Sequence, residues 1–326
     1  MKTEILKFLR ESNDYISGQQ LCEHFQVSRT AVWKVINQLK EEGYQIEAVR
    51  NRGYHIVDCP DILSREELES QMETAWAGKC VVYFDETDST NNRIRNLAEE
   101  GAAHGTLAVA DRQTAGKGRR GRSWESPKGK NIYMSILLRP DMEPSKAPQL
   151  TLVMAMSVAQ AIREHEQMDV QIKWPNDIVL NKKKICGILT EMSTEIDYID
   201  HVVIGIGINV NDEFIPEELQ EKATSMKLEA KRSIQRSSLI ATIMKHFEVN
   251  YEKFMEKLDL SFMQEDYNAI LVNFGKEVTV IGADAQWNAT AKGITSTGEL
   301  LVEKADGSIE EIYSGEVSVR GIYGYV

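Results

Sequence analysis

Residues 171–210 read QIKWPNDIVLNKKKICGILTEMSTEIDYIDHVVIGIGINV, and this stretch decides the fold class of the central part of the chain. It contains four short apolar runs, at 171–174, 177–180, 185–192 and 201–210, separated by polar and turn-forming residues. Runs of this length predict β-strands. Strands are also predicted at 105–113 and 131–139, and helical periodicity predicts helices at 147–164 and 233–257. The pattern therefore predicts an α/β domain with a mixed sheet and helices on one face of it.

The first sixty residues carry a different pattern, of short helices followed by a hairpin. Apolar spacing predicts one helix around residues 5–9, Ser17 opens a second, and Ser28 caps a third, RTAVWKVINQLKEEG, which stops at Gly43. YQIEAV and GYHIV then alternate as two strands around the basic turn 50–53. This order resembles a winged helix-turn-helix domain.

In a winged helix-turn-helix domain, the start of the last helix reads the major groove and the wing contacts phosphates. The expected DNA contacts are Ser28, Arg29, Thr30, Trp33 and Lys34 on the helix, and Arg50 and Arg52 on the wing. The alternative is that this domain is an interaction or dimerisation module.

The last fifty residues predict a third unit, made of short alternating strands separated by glycine turns. The sequence thus predicts a multidomain α+β protein. Its predicted domains are a DNA-binding domain at 1–62, a catalytic α/β domain at 63–272 and a small β domain at 273–326.

Composition limits the class of protein. The chain has 326 residues, and its longest apolar stretch, 202–210, is much shorter than the ~18 residues of a membrane helix. Its first residues lack the apolar core of a signal peptide, so we expect a soluble cytoplasmic protein with no membrane partner. The four cysteines show neither a CxxC pair nor a Cys/His ligand spacing, which predicts buried free thiols and no structural metal.

The net charge of −12 argues at first against a nucleic-acid partner, but it is unevenly distributed. Residues 1–60 contain eight basic and eight acidic side chains, so the whole acidic excess lies beyond them. Residues 111–139 contain eight basic and two acidic side chains. An anion-binding site is therefore expected in this basic segment.

The centre of the basic segment is TAGKGRRGRSWE at 114–125. Its glycines let the backbone approach a ligand, and its arginines can grip phosphate or carboxylate in pairs. It is not a Walker loop, because no Lys-Ser/Thr follows, and GIGINV at 205–210 lacks the third glycine of a dinucleotide fingerprint. A solvated loop and a nucleic-acid surface remain alternatives.

A second polar cluster is KWPND at 173–177, followed by three lysines at 182–184. A carboxylate, an amide and a lysine at strand ends suit metal-assisted phosphate chemistry. The alternative is a turn with exposed lysines.

Together, GKGRRGRSW, KWPNDIVL, KKICGILTE and GIGINVN, preceded by DSTN at 88–91 and the winged helix-turn-helix, resemble a bifunctional biotin protein ligase and biotin operon repressor. The resemblance covers essentially the whole chain, and it implies an SH3-like barrel for the last domain. In this family, biotin reacts with ATP to give biotinyl-5′-AMP and pyrophosphate, and the biotinyl group is then transferred to a lysine of a carrier protein. The resemblance therefore implies ATP as a cosubstrate and Mg²⁺ as an activating ion.

The resemblance also assigns roles to individual positions. The implied catalytic residues are Lys184, Arg119 and Asp177, with Asp177 also the candidate Mg²⁺ ligand. The implied biotin contacts are Ser89, Thr90, Asn91, Gln113, Lys117, Gly118, Arg119, Trp124 and Lys184. The implied ATP or adenylate contacts are Arg119, Arg120, Gly121, Arg122, Asn176, Asp177, Asn209 and Arg320.

The implied partners are operator DNA, a second copy of the chain, and the biotin carboxyl carrier protein of acetyl-CoA carboxylase, with pyruvate carboxylase as a further acceptor. The sequence departs from the family at Lys117, where an arginine is usual, and at 212–228, which has no Trp to cover adenine. Two other functions remain open: a metabolite-sensing transcription factor without activity, and a lipoate or octanoate transferase.

Overall fold

A computed structural model describes residues 1–195, 198–282, 286–313, 318–321 and 325–326, without the side chains of 195 and 318–321. Within these ranges, no helix combines the length and the apolar character that a membrane span requires. All four cysteines are free. The prediction that they are buried is wrong for three of them, because only Cys186 is fully buried and Cys80 is exposed.

The N-terminal domain contains three helices and a hairpin, as predicted. These are α1 (Lys2–Glu11), α2 (Gly18–Phe25), α3 (Arg29–Glu41), β1 (Gln45–Val49) and β2 (Gly53–Asp58), and the two strands pair antiparallel. Ser17 forms a capping box with Gln20, and the Ser28 hydroxyl accepts a hydrogen bond from the backbone N–H of Ala31 at 3.2 Å. Gly43 follows α3 with a φ of +101°, a left-handed conformation that ends the helix.

The central sheet has seven strands in the order β3-β4-β5-β9-β8-β7-β6. Their bounds are β3 Val81–Phe84, β4 Leu107–Ala110, β5 Ile132–Leu138, β6 Gln171–Lys173, β7 Asp177–Leu180, β8 Lys183–Glu195 and β9 Tyr198–Ile208. Strands β3 and β4 are parallel and all other neighbours are antiparallel, so the sheet is mixed, as predicted.

Helices cover both faces of this sheet, which corrects the expectation of one covered face. The helices are α4 (Arg65–Gln71), α5 (Thr90–Glu99), α6 (Gln149–Glu166), α7 (Met226–Ala230), α8 (Arg236–Lys257) and α9 (Gln264–Ala269). Helices α6 and α8 pack in the main core. On the other face, Ile94 and Ala98 of α5 pack against Ala108, Leu137 and Val203. Alternate residues of one strand therefore belong to different cores.

The C-terminal strands form a five-stranded antiparallel sheet in the order β13-β12-β11-β10-β14. Their bounds are β10 Glu277–Ile281, β11 Gln286–Ile294, β12 Leu300–Glu303, β13 Ile309–Ile312 and β14 Ser318–Gly321. Among the residues that the structure describes, β13 and β14 do not pair, so the expected barrel closure is not confirmed.

A buried polar cluster joins the N-terminal domain to helices α4 and α8. Glu67 is 1% exposed, and it accepts hydrogen bonds from Arg10 Nη2 at 2.5 and 2.7 Å, from the Ser237 hydroxyl at 2.8 Å and from the Tyr44 hydroxyl. Burial acts to lower the pKa of Arg10, but the charge and hydrogen bonds of Glu67 outweigh it and raise that pKa. The guanidinium therefore stays charged inside the domain contact.

The neighbouring Arg236 is 2% exposed and connects the segment between β2 and α4 with the end of β4. Its Nε donates to Asp61 Oδ2 at 3.0 Å, and its Nη1 donates to Asp111 Oδ1 at 2.8 Å and to the Asn131 carbonyl at 3.1 Å. Asp111 lies three residues before the segment 114–125, so this arginine fixes the chain just before that segment.

Candidate functional site

A cavity of about 50 Å³ lies between the β8–β9 part of the sheet, the start of α5 and the basic loop 114–125. This volume is far below the roughly 300–1,000 Å³ of common ligand pockets, so some of the residues that line the cavity have to move apart for a larger ligand to enter. The lining residues are Ser89, Thr90, Asn91, Gln113, Lys117, Gly118, Arg119, Trp124, Asn176, Lys184, Gly187, Ile188, Leu189, Gly205, Ile206 and Gly207. All nine residues predicted from the family as biotin contacts therefore line one cavity.

One end of the cavity is polar and buried. Ser89, Thr90 and Asn91 open helix α5 and are each less than 5% exposed. Gln113 Oε1 accepts from the backbone N–H of Thr90 at 2.8 Å and from its hydroxyl at 3.2 Å. Asn91 Nδ2 donates to Glu191 Oε2 at 2.7 Å. These bonds fix amide and hydroxyl groups that can recognise a neutral polar ring.

Trp124 forms the aromatic wall of the cavity, and two glycines make room for it. A Cβ added at Gly207 would lie 2.7 Å from Trp124 Cε2 and Nε1, and one added at Gly187 would lie 3.0 Å from Trp124 Cζ3. The indole Nε1 is buried and has no hydrogen-bond partner among the described residues. The indole N–H of Trp124 is therefore a hydrogen-bond donor that an acceptor on a bound ligand can satisfy.

The other end of the cavity is cationic. Lys184 Nζ lies 2.6 Å from Asp177 Oδ1 and 5.3 Å from the centre of the Trp124 ring. Arg119 Nη1 donates to Asn176 Oδ1 at 2.8 Å. Burial lowers the pKa of the Arg119 guanidinium, and the charge of Asp177 opposes this shift. A half-buried guanidinium beside a lysine favours an incoming anion.

The basic loop folds back on itself between these two ends. The backbone N–H of Gly118 donates to the Arg122 carbonyl at 2.7 Å, and Lys117 Nζ donates to Asn92 Oδ1 at 3.1 Å. Arg120 and Gly121 have positive φ angles of 57° and 72° at the apex. Arg120, Gly121 and Arg122 are exposed and lie outside the cavity lining.

The predicted DNA-contacting residues are all exposed on the surface of the N-terminal domain. Ser28, Arg29, Thr30, Trp33 and Lys34 are all exposed at the start of α3, and Trp33 is 59% exposed although it is apolar. Arg50 and Arg52 are exposed on the turn between β1 and β2.

Two of the cations in this surface already have partners. Arg29 Nη2 donates to Gln19 Oε1 at 2.8 Å. Arg52 donates to Asp14 at 3.0 Å, and its guanidinium lies 4.2 Å from the centre of the Tyr15 ring. These contacts hold both side chains on the protein surface.

Comparison with known proteins identifies all three parts of the chain. Residues 2–55 match an HTH domain, residues 83–209 match the Biotin/lipoate A/B protein ligase family, and residues 274–320 match the Biotin protein ligase C terminal domain. The chain is 40% identical over 316 residues to the Bifunctional ligase/repressor BirA of Bacillus subtilis (strain 168), covering 96% of each chain. The chain belongs to the bifunctional biotin ligase/repressor family. The protein of the same name from Escherichia coli (strain K12) is 30% identical over 312 residues, covering 96% of this chain and 95% of that protein.

A solved structure agrees with this family. The biotin protein ligase from Aquifex aeolicus in complex with biotin and ATP superposes with a TM-score of 0.65 at 35% identity, covering 74% of this chain and 99% of that one.

Of the eight positions that the ligase/repressor family implies for ATP or adenylate, Arg119 and Asn176 line the cavity, whereas Asp177, Asn209 and the loop residues Arg120, Gly121 and Arg122 do not. Asn209 Nδ2 donates to the Thr224 carbonyl at 3.1 Å and holds the chain after β9. The backbone of Arg320 pairs with Thr279 in the C-terminal sheet, but its side chain lies outside the described residues. In the segment expected to cover adenine, Phe214 is exposed.

Sequence reasoning missed several residues of this family site. Glu191 and Ser135 hold Asn91, because the Ser135 hydroxyl donates to Asn91 Oδ1 at 2.6 Å. Gly205 is needed beside the same side chain, since a Cβ there would lie 2.1 Å from Asn91 Oδ1. The alternating glycines of GIGIN are the signal in the sequence from which this contact could have been predicted. They mark a close approach of side chains to the sheet.

Proposed function

We propose that the protein is an ATP-dependent biotin protein ligase that also represses the genes of biotin synthesis. The observation that carries this proposal is a single cavity with a buried polar end, an aromatic wall and a cationic end. This arrangement suits a ligand that has a neutral polar ring, an apolar body and a carboxylate.

In the first half-reaction, the biotin carboxylate attacks the α-phosphorus of ATP and pyrophosphate leaves. Two anions have to meet, so cations that interact more strongly with the pentacovalent transition state than with the substrates lower the barrier. Lys184 and Arg119 are the cations at that end of the cavity, and Asp177 orients Lys184 through their 2.6 Å ion pair. In the second half-reaction, a carrier lysine amine attacks the mixed anhydride and AMP leaves.

Biotin lies with its ureido ring at the polar end of the cavity. There it contacts Ser89, Thr90, Asn91 and Gln113, while Trp124 packs on its apolar part. The loop residues Lys117, Gly118 and Arg119 close over biotin and the adenylate. The buried Trp124 Nε1, without a partner in the described part of the chain, supports a polar ligand here.

The remaining adenylate contacts are supplied by Arg120, Gly121, Arg122, Asn176, Asn209 and Arg320. Asp177 would hold Mg²⁺ through its carboxylate, the kind of oxygen ligand that Mg²⁺ prefers, in exchange for one of the contacts that it makes with Lys184 Nζ at 2.6 Å and with the Tyr325 hydroxyl. No group of three His, Cys, Asp or Glu side chains suited to a metal occurs in the described part of the chain. This suits an ion held by one carboxylate and mainly by nucleotide phosphates, where it would neutralise phosphate charge.

The repressor activity belongs to the N-terminal domain. Its exposed helix start and basic turn contact operator DNA, and biotinyl-5′-AMP is the corepressor that promotes a homodimer. The acceptors are the carrier protein of acetyl-CoA carboxylase and pyruvate carboxylase, and the C-terminal sheet closes as an SH3-like barrel. We place the domain limits at 1–62, 63–272 and 273–326, and the protein in the cytoplasm.

ATP–pyrophosphate exchange tests the ligase. We expect exchange with biotin but not with lipoate, and Lys184→Ala abolishes it while the circular dichroism spectrum is unchanged. Lys182→Ala, a neighbouring exposed lysine outside the cavity lining, keeps wild-type exchange. Exchange driven by lipoate, or normal pyrophosphate release by Lys184→Ala, would contradict the proposal. DNA mobility shifts with and without biotin and ATP then test the corepressor.

A further inference from the structure

Tyr325, near the end of the sequence, contacts residues at the cationic end of the cavity. The Tyr325 hydroxyl donates a hydrogen bond to Asp177 Oδ2, and Lys173 Nζ lies 3.3 Å from the centre of the Tyr325 ring. Lys173 and Asp177 are directly opposite each other in the β6–β7 hairpin. One side chain from the far end of the sequence therefore contacts both members of this pair.

This contact gives Asp177 a partner at each of its carboxylate oxygens. Lys184 Nζ lies 2.6 Å from Oδ1, and the Tyr325 hydroxyl binds Oδ2. A carboxylate held at one oxygen can rotate about its last torsion, whereas one held at both oxygens cannot rotate freely. The position of the Lys184 ammonium depends on the carboxylate with which it is paired.

We infer that Tyr325 is a positioning residue of the ligation site, whose hydroxyl fixes Asp177 and thereby Lys184. The inference rests on the proposed function, because it concerns the step in which biotin and ATP react. It gives the C-terminal end of the chain a part in the adenylation site.

Attachment of the C-terminal domain does not depend on this hydroxyl. Trp174 Nε1 donates to the Gly298 carbonyl at 2.9 Å, and the backbone N–H of Leu260 donates to the Ser296 carbonyl at 2.7 Å. Removal of the hydroxyl therefore leaves other bonds between the domains, so its effect on the reaction can be separated from an effect on the fold.

The test is the variant Tyr325→Phe, which keeps the ring over Lys173 and removes the hydroxyl. One hydrogen bond to a charged group is lost, so we expect kcat for ATP–pyrophosphate exchange to fall about tenfold. KM for biotin stays unchanged, because Tyr325 lies outside the cavity lining that holds biotin. A structural role would instead lower thermal stability and change KM and kcat together.

Two further variants complete the experiment. A chain that ends at residue 324 also loses the ring, so its kcat falls further, again with an unchanged KM for biotin. Tyr313→Phe, the same change at an exposed tyrosine of the C-terminal domain, keeps wild-type kinetics. Wild-type kcat in Tyr325→Phe, beside an active wild-type enzyme, overturns this inference alone. A wild-type chain without biotin-dependent exchange overturns the proposed function, and this inference falls with it.

Discussion

Glu67 is the centre of the contact between the N-terminal domain and the rest of the protein, and its charge can be removed without changing its size. In Glu67→Gln, the amide can still accept a hydrogen bond from Tyr44 or Ser237, but Arg10 loses the carboxylate that lies 2.5 Å from it. The variant therefore tests the buried charge pair and not the packing.

The expected magnitude follows from the burial of the two partners. Removal of one member of a buried ion pair costs about 3–5 kcal/mol, because the other charge is left uncompensated. Since the Arg10 side chain is 16% exposed and can recover some hydration, we expect a loss of about 2–3 kcal/mol. The matched control is Glu69→Gln in the same helix, whose partner Arg65 is 64% exposed, and which should change stability by less than about 1 kcal/mol.

The assay is urea unfolding followed by circular dichroism and tryptophan fluorescence, with each transition fitted separately because a protein of several domains need not unfold in one step. Limited proteolysis of the segment 58–64 reports in parallel on separation of the N-terminal domain. A loss in Glu67→Gln no larger than in Glu69→Gln would refute the conclusion that this charge pair holds the domains together.

Three other changes probe separate parts of the molecule. In Gly207→Ala, the added Cβ displaces the Trp124 ring, so calorimetry should show biotin affinity at least about tenfold weaker, and unchanged affinity would contradict the account of the aromatic wall. Arg50→Ala should reduce the slope of log affinity against log salt by about 1 on DNA selected by this protein from a random pool, whereas Lys7→Ala on α1 should leave it unchanged. Burial acts to raise the pKa of Asp88, but hydrogen bonds to its carboxylate outweigh burial and lower that pKa to about 2 from an unfolded value of 3.8. Asp88 therefore contributes stability that is fully present above the unfolded pKa and lost as pH falls through about 2. The advantage of wild type over Asp88→Asn should be below about 1 kcal/mol at neutral pH, because the side chain is 40% exposed, and should shrink as pH falls through about 2. A difference as large in acid melts below that pH as at neutral pH would contradict this.

Local signals made the N-terminal domain predictable from sequence. Ser17 and Ser28 each satisfy an orphan backbone N–H at a helix start, and Gly43 ends α3 with a positive φ that other residues adopt at a cost. These effects depend on residues two to four positions apart. The positions of the central strands were predictable in the same way, but their lengths were not: the strand predicted at 105–113 is Leu107–Ala110, and the one predicted at 185–192 is Lys183–Glu195.

Contacts between distant residues were not predictable in this way. The second covered face of the sheet depends on Ile94 meeting Leu137 and Val203, and strand periodicity does not specify which helix covers which face. The contact of Tyr325 with Asp177 joins residues 148 positions apart. The family motifs predicted the biotin residues that line one cavity. They gave no role to Glu191, although it is the last residue of the KKICGILTE motif, and Ser135 lies outside the motifs; both residues hold Asn91 from strands.

The first turn of α8 is where the two proposed activities are physically connected. Ser237 bonds to Glu67 in the domain contact. The adjacent Arg236 bonds both to Asp61 beside the N-terminal domain and to Asp111, three residues before the basic loop. A guanidinium is a rigid planar fork, so it cannot follow two carboxylates that move apart without losing a bond to one of them. If the loop moves Asp111 when a ligand enters, the balance of bonds at Arg236 changes. The basic loop and the N-terminal domain are therefore connected through one buried cation, Arg236. A ligand can shift the position of the N-terminal domain only by as much as the bonding of Arg236 differs in free energy between the two loop positions.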